Sequence, residues 1–539
     1  MAQVFDPILV HEWLSRAASR HPRKHALICG ETRWTYEAID RHSSALAHAL
    51  TDMGVSRHDR VAVLLDNSVE SVVALYGILK AGAVFSILAA TLKGAKLRHI
   101  LDNSDASVLI SHTNKSKVVI DALSGYGKPC KVVWVGPSER IPAQLGAVST
   151  PWESLFSNGF NPETDSAGKS CESALPRIID QDLAALIYTS GSTGEPKGVM
   201  LTHGNQVSVC RSITEYLENT ASDIILSVLP LSFSYGLNQI LTAFRVGATV
   251  ILEQSFLYTH SIMQKLVLEK ATGLPIVPTI AAILLQLDLS KYDLCNLRYI
   301  TNAGAALPPS YSKELRRRLP HVRVFAMYGQ TECTRISYLS PEQIDIRPTS
   351  VGRGIPGQAS CVVDEQGLPV GPGVVGELVV KGPHVMAGYW GLPDETKQKL
   401  RPFPGSAEPA LHTGDLFRTD EEGYLYFVSR KDDIIKSRGE KVSPKEVEDV
   451  LYGVQGVAEA AVVGVPDPVL GEAVKAFVVP QPGAALTERD VLRACAHHLE
   501  DFMVPQAVEF REALPKTSSG KIRKTELREQ AAQGGASPR

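Results

Sequence analysis

The sequence predicts an α/β protein: a large, multi-subdomain N-terminal portion of sheets covered by helices, followed by a small α+β unit. Two observations predict it. From about residue 60 to 430, short β-branched runs alternate with stretches of roughly 3.6-residue hydrophobic periodicity, the pattern of strands joined by covering helices. Past residue 430 a charged, turn-rich patch leads into two apolar runs and one amphipathic stretch, which reads as a separate unit of about 110 residues. The length of 539 residues agrees, since it implies two to four domains.

Taken in order, Arg60-Val61-Ala62-Val63-Leu64-Leu65 reads as a strand and Val69 to Lys80 as a helix. Residues 137–180 are rich in Ser, Pro, Gly and Asn and read as a long surface connection. Leu186-Ile187-Tyr188 is a strand entering a loop, and Val322 to Ala326 a second strand entering another. Beyond the charged patch of Arg430 to Lys445, Ala458–Val465 and Ala473–Val479 read as strands and Glu488 to Glu500 as a helix. The expected division is a large domain over 1–428, a hinge over 429–433, a small domain over 434–528 and a flexible tail over 529–539.

Composition narrows function. With 44% hydrophobic and 21% charged residues and a net charge of −3, the chain is ordinary globular protein. It carries no basic excess for sequence-independent nucleic-acid binding, so small molecules are the expected partners. Its eight cysteines show no CxxC pair, which fits neither a disulfide framework nor a zinc site. The first residues carry no basic n-region, and Asp6, His11 and Glu12 interrupt any apolar core of a signal. The apolar stretch Ser71 to Leu92 is broken by Lys80, Gly77 and Gly82, and reads as buried helix and strand rather than an integral membrane span. The expectation is a cytoplasmic protein.

Five segments carry chemistry. Thr189-Ser190-Gly191-Ser192-Thr193-Gly194-Glu195-Pro196-Lys197-Gly198 holds four hydroxyls, three glycines and a lysine after a strand. Glycines let backbone N–H groups turn to an anion, hydroxyls donate further, and the lysine adds charge, as a polyphosphate cradle requires. It is not a P-loop, because Gly198 follows the lysine where Ser or Thr is needed for magnesium. Tyr328-Gly329-Gln330-Thr331-Glu332 places a carboxylate just past a strand, where open α/β sheets put ligand groups. His412-Thr413-Gly414-Asp415 offers an aspartate able to accept from two ribose hydroxyls or to form an Asx turn. The run from Arg430 to Lys441 has eight charges in twelve residues, and Pro515-Lys516-Thr517-Ser518-Ser519-Gly520-Lys521 sets a lysine on a second Gly/Ser loop. Two GxGxxG matches, at 352–357 and 371–376, each contain a proline and open no helix, so they read as turns.

In this order and approximate spacing the five segments resemble the adenylate-forming superfamily, which includes acyl- and aryl-CoA synthetases, adenylation domains and luciferases. The resemblance is closest to AMP-forming acyl-CoA synthetases. It covers nearly the whole chain and extends to Trp34-Thr35-Tyr36-Glu37, Leu79 to Ala83, Asn302 to Ala306, Gly376-Glu377-Leu378 and Gly388-Tyr389. It implies activation of a carboxylic acid by Mg-ATP to an acyl-adenylate with release of pyrophosphate. Acyl transfer to a thiol follows, on CoA or on the phosphopantetheine of an acyl or peptidyl carrier protein, with release of AMP.

By the same resemblance, Lys521, Thr189 and Glu332 are catalytic, with Glu332 on Mg²⁺. The loop Thr189, Ser190, Gly191, Ser192, Thr193, Gly194 and Lys197 holds the β- and γ-phosphates, Asp415 the ribose, and Arg430 ribose or phosphate. Gly304, Ala305, Ala306 and Tyr328 take the adenine, and Gly329 and Thr331 also bind ATP. Asp432 is the hinge of a mobile lid and Gly439 lines the thiol channel. Phe233, Ser234, Tyr235, Asn238, Val277, Thr279, Ala303 and Cys333 are expected around the acyl group.

One departure bears on substrate. Amino-acid adenylation domains have an aspartate after the phenylalanine at this place, pairing with the substrate's α-ammonium, whereas here Ser234 follows Phe233. An unpaired buried ammonium is costly, so Ser234 favours acids without one, of medium to long or aryl type. A stand-alone amino-acid adenylating enzyme that loads a carrier protein is the alternative. A nucleotide-binding regulator without catalysis and a luciferase-like oxidative activity share the same motifs, although the presence of Lys521 and Glu332 argues against the first.

Overall fold

The computed structural model describes residues 8–156, 175–190, 195–467, 469–517 and 520–534. Its large portion contains three sheets. The first has nine strands, with a parallel centre of Arg323–Tyr328, Tyr299–Asn302, Gly273–Ile276, Ile224–Ser227, Thr249–Leu252 and His25–Cys29, and antiparallel strands at both edges. The second has eight strands, with Val84–Ile87, Arg60–Leu64, Ala106–His112 and Lys131–Val135 parallel at its centre and the hairpin Leu183–Ser190/Pro196–Thr202 on one side. Strands such as Gly273–Ile276, Thr249–Leu252 and Val84–Ile87 are buried at every residue, as expected where helices cover both faces of a parallel sheet.

The helix Val69–Lys80 has the bounds its periodicity predicts. It starts where the Ser68 side chain accepts from Ser71 N–H and is buried along its length. Lys80, 6% exposed, places its ammonium on Asp40 Oδ1 at 2.6 Å and on Ser44 Oγ at 2.9 Å. This helix is therefore part of the main hydrophobic core, and among the described residues no helix is long and apolar enough to cross a membrane. Of the connection expected over 137–180, residues 137–156 are more ordered than their composition suggests, and 157–174 lie outside the described residues. Ser149–Pro151 adds an edge strand parallel to Lys131–Val135, and Trp152 is 9% exposed.

A third, antiparallel sheet of Ala359–Val363, Gly376–Lys381, Pro409–Thr419, Leu400–Pro402 and Leu425–Arg430 closes the large portion. The C-terminal unit has its own sheet, in which Val457–Asp467 and Gly471–Pro480 pair over ten positions. Alternation builds it two cores. Ala460 and Val462 pack with Val447, Leu451 and Val491 on one face, while Ala461, Val463 and Phe477 pack with Leu514 and Leu527 on the other. The helix Lys524–Gly534 carries through residues expected to belong to a flexible tail; Ala531 is 6% exposed because it covers that second face.

In the first sheet, Ile276 pairs with Asn302 and Asn302 with Ala326, so neighbouring strands end together. The loops that follow them carry Val277 to Thr279, Ala303 to Ala306 and Gly329 to Arg335. The carboxyl ends of parallel strands are where such sheets bind ligands.

Candidate active site

The segments singled out by sequence converge where the first and third sheets meet the C-terminal unit. Asp415 lies on Pro409–Thr419 at a bulge, where Glu377 faces Leu416 but Val379 faces His412. Gly414, at φ 73°, supplies the left-handed residue such a bulge needs. The bulge aims Asp415 at the end of the first sheet. Its Oδ2 accepts from Tyr328 Oη at 2.6 Å and Gln330 Nε2 at 2.9 Å, and Arg430 Nε stands 3.3 Å from Oδ1. Burial and the Asp415 charge push the Tyr328 phenol well above its ordinary pKa, so it keeps its proton and donates.

Glu377 holds the bulge from behind. Oε1 accepts from Gly414 N–H at 2.9 Å; Oε2 lies 2.8 Å from Lys431 Nζ and 3.1 Å from Arg401 Nη2. Burial alone would raise its pKa, but His412, Lys431 and the Gly414 N–H hold the carboxyl well below the usual glutamate range. His412 Nδ1 accepts from Arg401 Nη2 at 2.5 Å and stands 3.6 Å from Glu377, so geometry makes Lys431, Gly414 and Arg401 the direct partners.

A second wall comes from the second sheet. Tyr389 pairs with Val199 across the strand edge and donates its hydroxyl to Glu332 Oε1 at 2.6 Å. Lys197 Nζ stands 5.8 Å from the Tyr389 ring centroid. The segment expected as a loop from Thr189 to Gly198 is instead the end of a β-hairpin: Thr189 pairs with Lys197 and Ser190 with Pro196. Strand pairing extends into the motif because the apolar run Leu183 to Tyr188 before it is already in the sheet and the ladder carries on through Thr189 and Ser190. Gly191, Ser192, Thr193 and Gly194 lie outside the described residues, as do Ser518 and Ser519.

The C-terminal unit closes the third side. Lys521 Nζ stands 5.3 Å from the Phe233 ring centroid. A Cβ on Gly304 would lie 3.1 Å from Phe233 Cζ and 3.4 Å from Lys521 Cε; one on Gly520 would lie 3.2 Å from Thr279 Oγ1 and 3.3 Å from Val277 Cγ2. Lys521 retains solvent contact in the cleft. Crowding by protein and the Arg430 charge push its pKa down, while Asp415 and Glu332 pull it back up. Lys521, Arg430, Asp415 and Glu332 thus share one cleft, with Ala305 and Ala306 exposed beside it. Thr331 is half-buried on the Glu332 loop, where Gly329 has no room for a side chain: its Cβ would lie 2.4 Å from Thr334 O.

Of the residues expected around the acyl group, Tyr235, Asn238, Val277, Ala303 and Cys333 are buried, and Ser234 opens the helix Ser234–Val246 after Phe233. Burial pushes the Cys333 thiol up to about 12, which makes it packing rather than a nucleophile. Two residues stay apart. Gly439, at φ 81°, caps the hairpin Ile435–Ser437/Glu440–Val442, and a Cβ there would meet nothing within 4 Å. Asp432 is exposed between Lys431, tied to Glu377, and Asp433, tied to Arg528 Nη2 at 2.6 Å. Sequence reasoning passed over Gln330, Tyr389 and Glu377 as functional residues, although each lies within a quoted motif.

Glu377→Gln removes the charge that organises Gly414 and Lys431. If the cleft takes ATP as the sequence resemblance implies, the expected result is a KM for ATP raised roughly tenfold with a smaller change in kcat, the size of one charge-assisted hydrogen bond. The stability lost relative to wild type is constant at neutral pH. It shrinks as pH falls through the ordinary glutamate value of 4.5, because only the ionised carboxyl is stabilised by folding. Thermal melts of both proteins between pH 3 and 8 check this; a loss independent of pH contradicts the ionic role.

Comparison with known proteins agrees with this geometry. Residues 14–390 match the family model described as AMP-binding enzyme, and residues 446–521 that described as AMP-binding enzyme C-terminal domain. The feruloyl-CoA synthase of an Amycolatopsis species is 35% identical over 521 residues, covering 96% of this chain and 98% of that protein. The long-chain-fatty-acid–CoA ligase of Salmonella typhimurium is 31% identical over 550 residues, covering 96% and 94%. The crystal structure of the anthranilate CoA ligase AuaEII in complex with anthranoyl-AMP superposes with a TM-score of 0.86 at 26% identity, covering 98% and 99%. Matched over both domains and nearly end to end, the chain belongs to the family of AMP-binding, adenylate-forming enzymes.

Proposed function

We propose that this protein is an AMP-forming acid–CoA ligase, acting on carboxylic acids without an α-ammonium group. The observation that carries the reading is the meeting of Lys521 from the C-terminal unit with Asp415, Arg430 and Glu332 in one cleft. Relatives over almost the full length are named CoA synthase and CoA ligase, which supports CoA rather than a carrier protein as acceptor.

In the first half-reaction an acid oxygen attacks the α-phosphorus of ATP and pyrophosphate leaves. Two anions must meet, so cationic donors aimed at the reacting oxygens supply much of the catalysis. Lys521 donates between carboxylate and phosphate oxygens, Arg430 adds a second cation, and Asp415 accepts from the ribose. The hairpin ending at Thr189 and Ser190, with Lys197, receives the outer phosphates. Glu332 spends one oxygen on Tyr389, and its other suits the Mg²⁺ that accompanies ATP, an ion that takes one or two carboxylates plus phosphate. Adenine lies against Gly304, Ala305 and Ala306, beside Tyr328.

In the second half-reaction the CoA thiolate attacks the acyl carbonyl and AMP leaves. Gly439 stands away from the cleft in the present orientation. Rotation about Asp432 would withdraw Lys521 and bring the Gly439 hairpin in, as the tethers on either side of Asp432 suggest: Lys431 to the large portion, Asp433 to the lid. The location of such an enzyme is the cytoplasm.

Ser234 supports the choice of acid. It is neutral and stands at the N-terminus of a 13-residue helix, whose partial positive charge disfavours an ammonium. Acid-dependent exchange of pyrophosphate into ATP over a panel of acids tests the function. Exchange is expected with apolar or aryl acids at a kcat/KM roughly tenfold or more above their α-amino counterparts, and Ser234→Asp narrows that ratio. A wild-type preference for the α-amino acid would replace this reading with the amino-acid adenylating one. Lys521→Ala is expected to lower exchange by about 10²–10³-fold while thiol transfer from a supplied acyl-adenylate continues; an unchanged exchange rate removes Lys521 from the chemistry.

A further inference from the structure

Arg335 follows the Glu332 loop and is 3% exposed. No carboxylate among the described residues lies within ion-pair distance of it, and its Nε has no hydrogen-bond partner. The polar group it feels is the Tyr216 hydroxyl, which is itself 3.1 Å from Met327 Sδ. The guanidinium otherwise lies over the Tyr235 ring, 5.4 Å from its centroid. One hydroxyl and one aromatic face leave the Nε–H without an acceptor and the guanidinium without a counter-charge, an arrangement that burial makes costly.

The surroundings point the same way. Thr334, just before it, adopts φ 64°, a strained conformation for a β-branched residue. Asn238, one turn beyond Tyr235 on the same helix, is 2% exposed and its Nδ2 also has no partner. From the catalytic side, Lys521 stands 5.3 Å from the Phe233 ring, and the Phe233 and Tyr235 rings are 6.1 Å apart and edge to face. An aromatic row therefore leads from the lysine that would meet the reacting carboxylate to a second, buried cation whose Nε–H is unmet. The Tyr235 hydroxyl cannot serve as the missing acceptor, since it is engaged with Thr301 Oγ1 at 2.6 Å and Thr301 O at 2.8 Å.

We infer that Arg335, with the unpartnered Asn238 one turn along the helix from Tyr235, receives a second carboxylate at the far end of the acid, so that dicarboxylic acids are the preferred substrates. This deepens the ligase reading above and rests on it. The planar fork of a guanidinium matches a carboxylate with two parallel hydrogen bonds, which neither a methyl terminus nor a lysine in its place reproduces. A monoacid of the same length would leave both donors buried and unmet. A site built to hydrogen-bond a polar group discriminates strongly against the analogue lacking it.

The test is pyrophosphate exchange with straight-chain monoacids from butanoate to decanoate against their α,ω-diacids of equal length, and with 3-phenylpropanoate against 3-(4-carboxyphenyl)propanoate. The expected result is a kcat/KM at least tenfold higher for the best diacid than for its monoacid. That ratio falls to one or below in Arg335→Met and is partly kept in Arg335→Lys. Equal or better use of the monoacid by wild type, or a ratio unchanged in Arg335→Met, overturns the inference while leaving the ligase reading intact. Exchange with no acid at all overturns both. If circular dichroism shows Arg335→Met unfolded, Asn238→Leu carries the test: it lowers the diacid ratio at least threefold, or the inference fails.

Discussion

The carboxylate of Asp415 is the point on which the rest of the cleft depends. It lies on a bulge of the third sheet, accepts from Tyr328 and Gln330 at the end of the first, and faces Arg430 at the start of the link to the C-terminal unit. Three pieces of structure are thus registered to one buried charge. The charge is tolerable because every neighbour donates to it or carries the opposite sign. Glu377 performs the same service one layer back, gripping Gly414 and Lys431 so that the bulge and the linker are positioned together.

The C-terminal unit owes its independence to its own two cores, one on each face of its sheet and neither shared with the large portion. Side-chain hydrogen bonds to backbone join the two, such as Tyr311 Oη to Ala458 O at 2.7 Å and Ser443 Oγ to Val428 O at 2.6 Å. An aromatic contact joins them as well, the Tyr311 and Tyr452 rings meeting edge to face at 5.8 Å. Glycine at 520 permits the close approach of the Lys521 loop to Val277 and Thr279.

Much of this was legible in the sequence, for identifiable reasons. The helix Val69–Lys80 and the paired strands of the C-terminal unit announce themselves because period and burial coincide there. Lys521, Glu332, Asp415 and Arg430 come from four separate motifs and stand together in the fold. Other features have no local signature. The polar segment before residue 156 hides an edge strand whose stability comes from its neighbour Lys131–Val135. The helix through residue 534 is held by a face of the sheet far away in sequence. Glu377 and Tyr389 were visible only as motif letters, because their roles lie in partners 37 and 57 residues distant. Arg335 was invisible as a functional residue, since an arginine in a loop declares nothing until its burial without an acid is seen.

The most direct measurement of the central claim is the affinity of the protein for ATP and for 2′,3′-dideoxy-ATP, by titration calorimetry, in wild type and in Asp415→Asn. If Asp415 anchors the ribose, wild type prefers ATP by roughly tenfold or more, the worth of hydrogen bonds to a charged acceptor, and Asp415→Asn binds the two nucleotides with nearly equal, weakened affinity. A variant that keeps both the affinity for ATP and the discrimination would contradict the account, and the cleft would then need a different anchor.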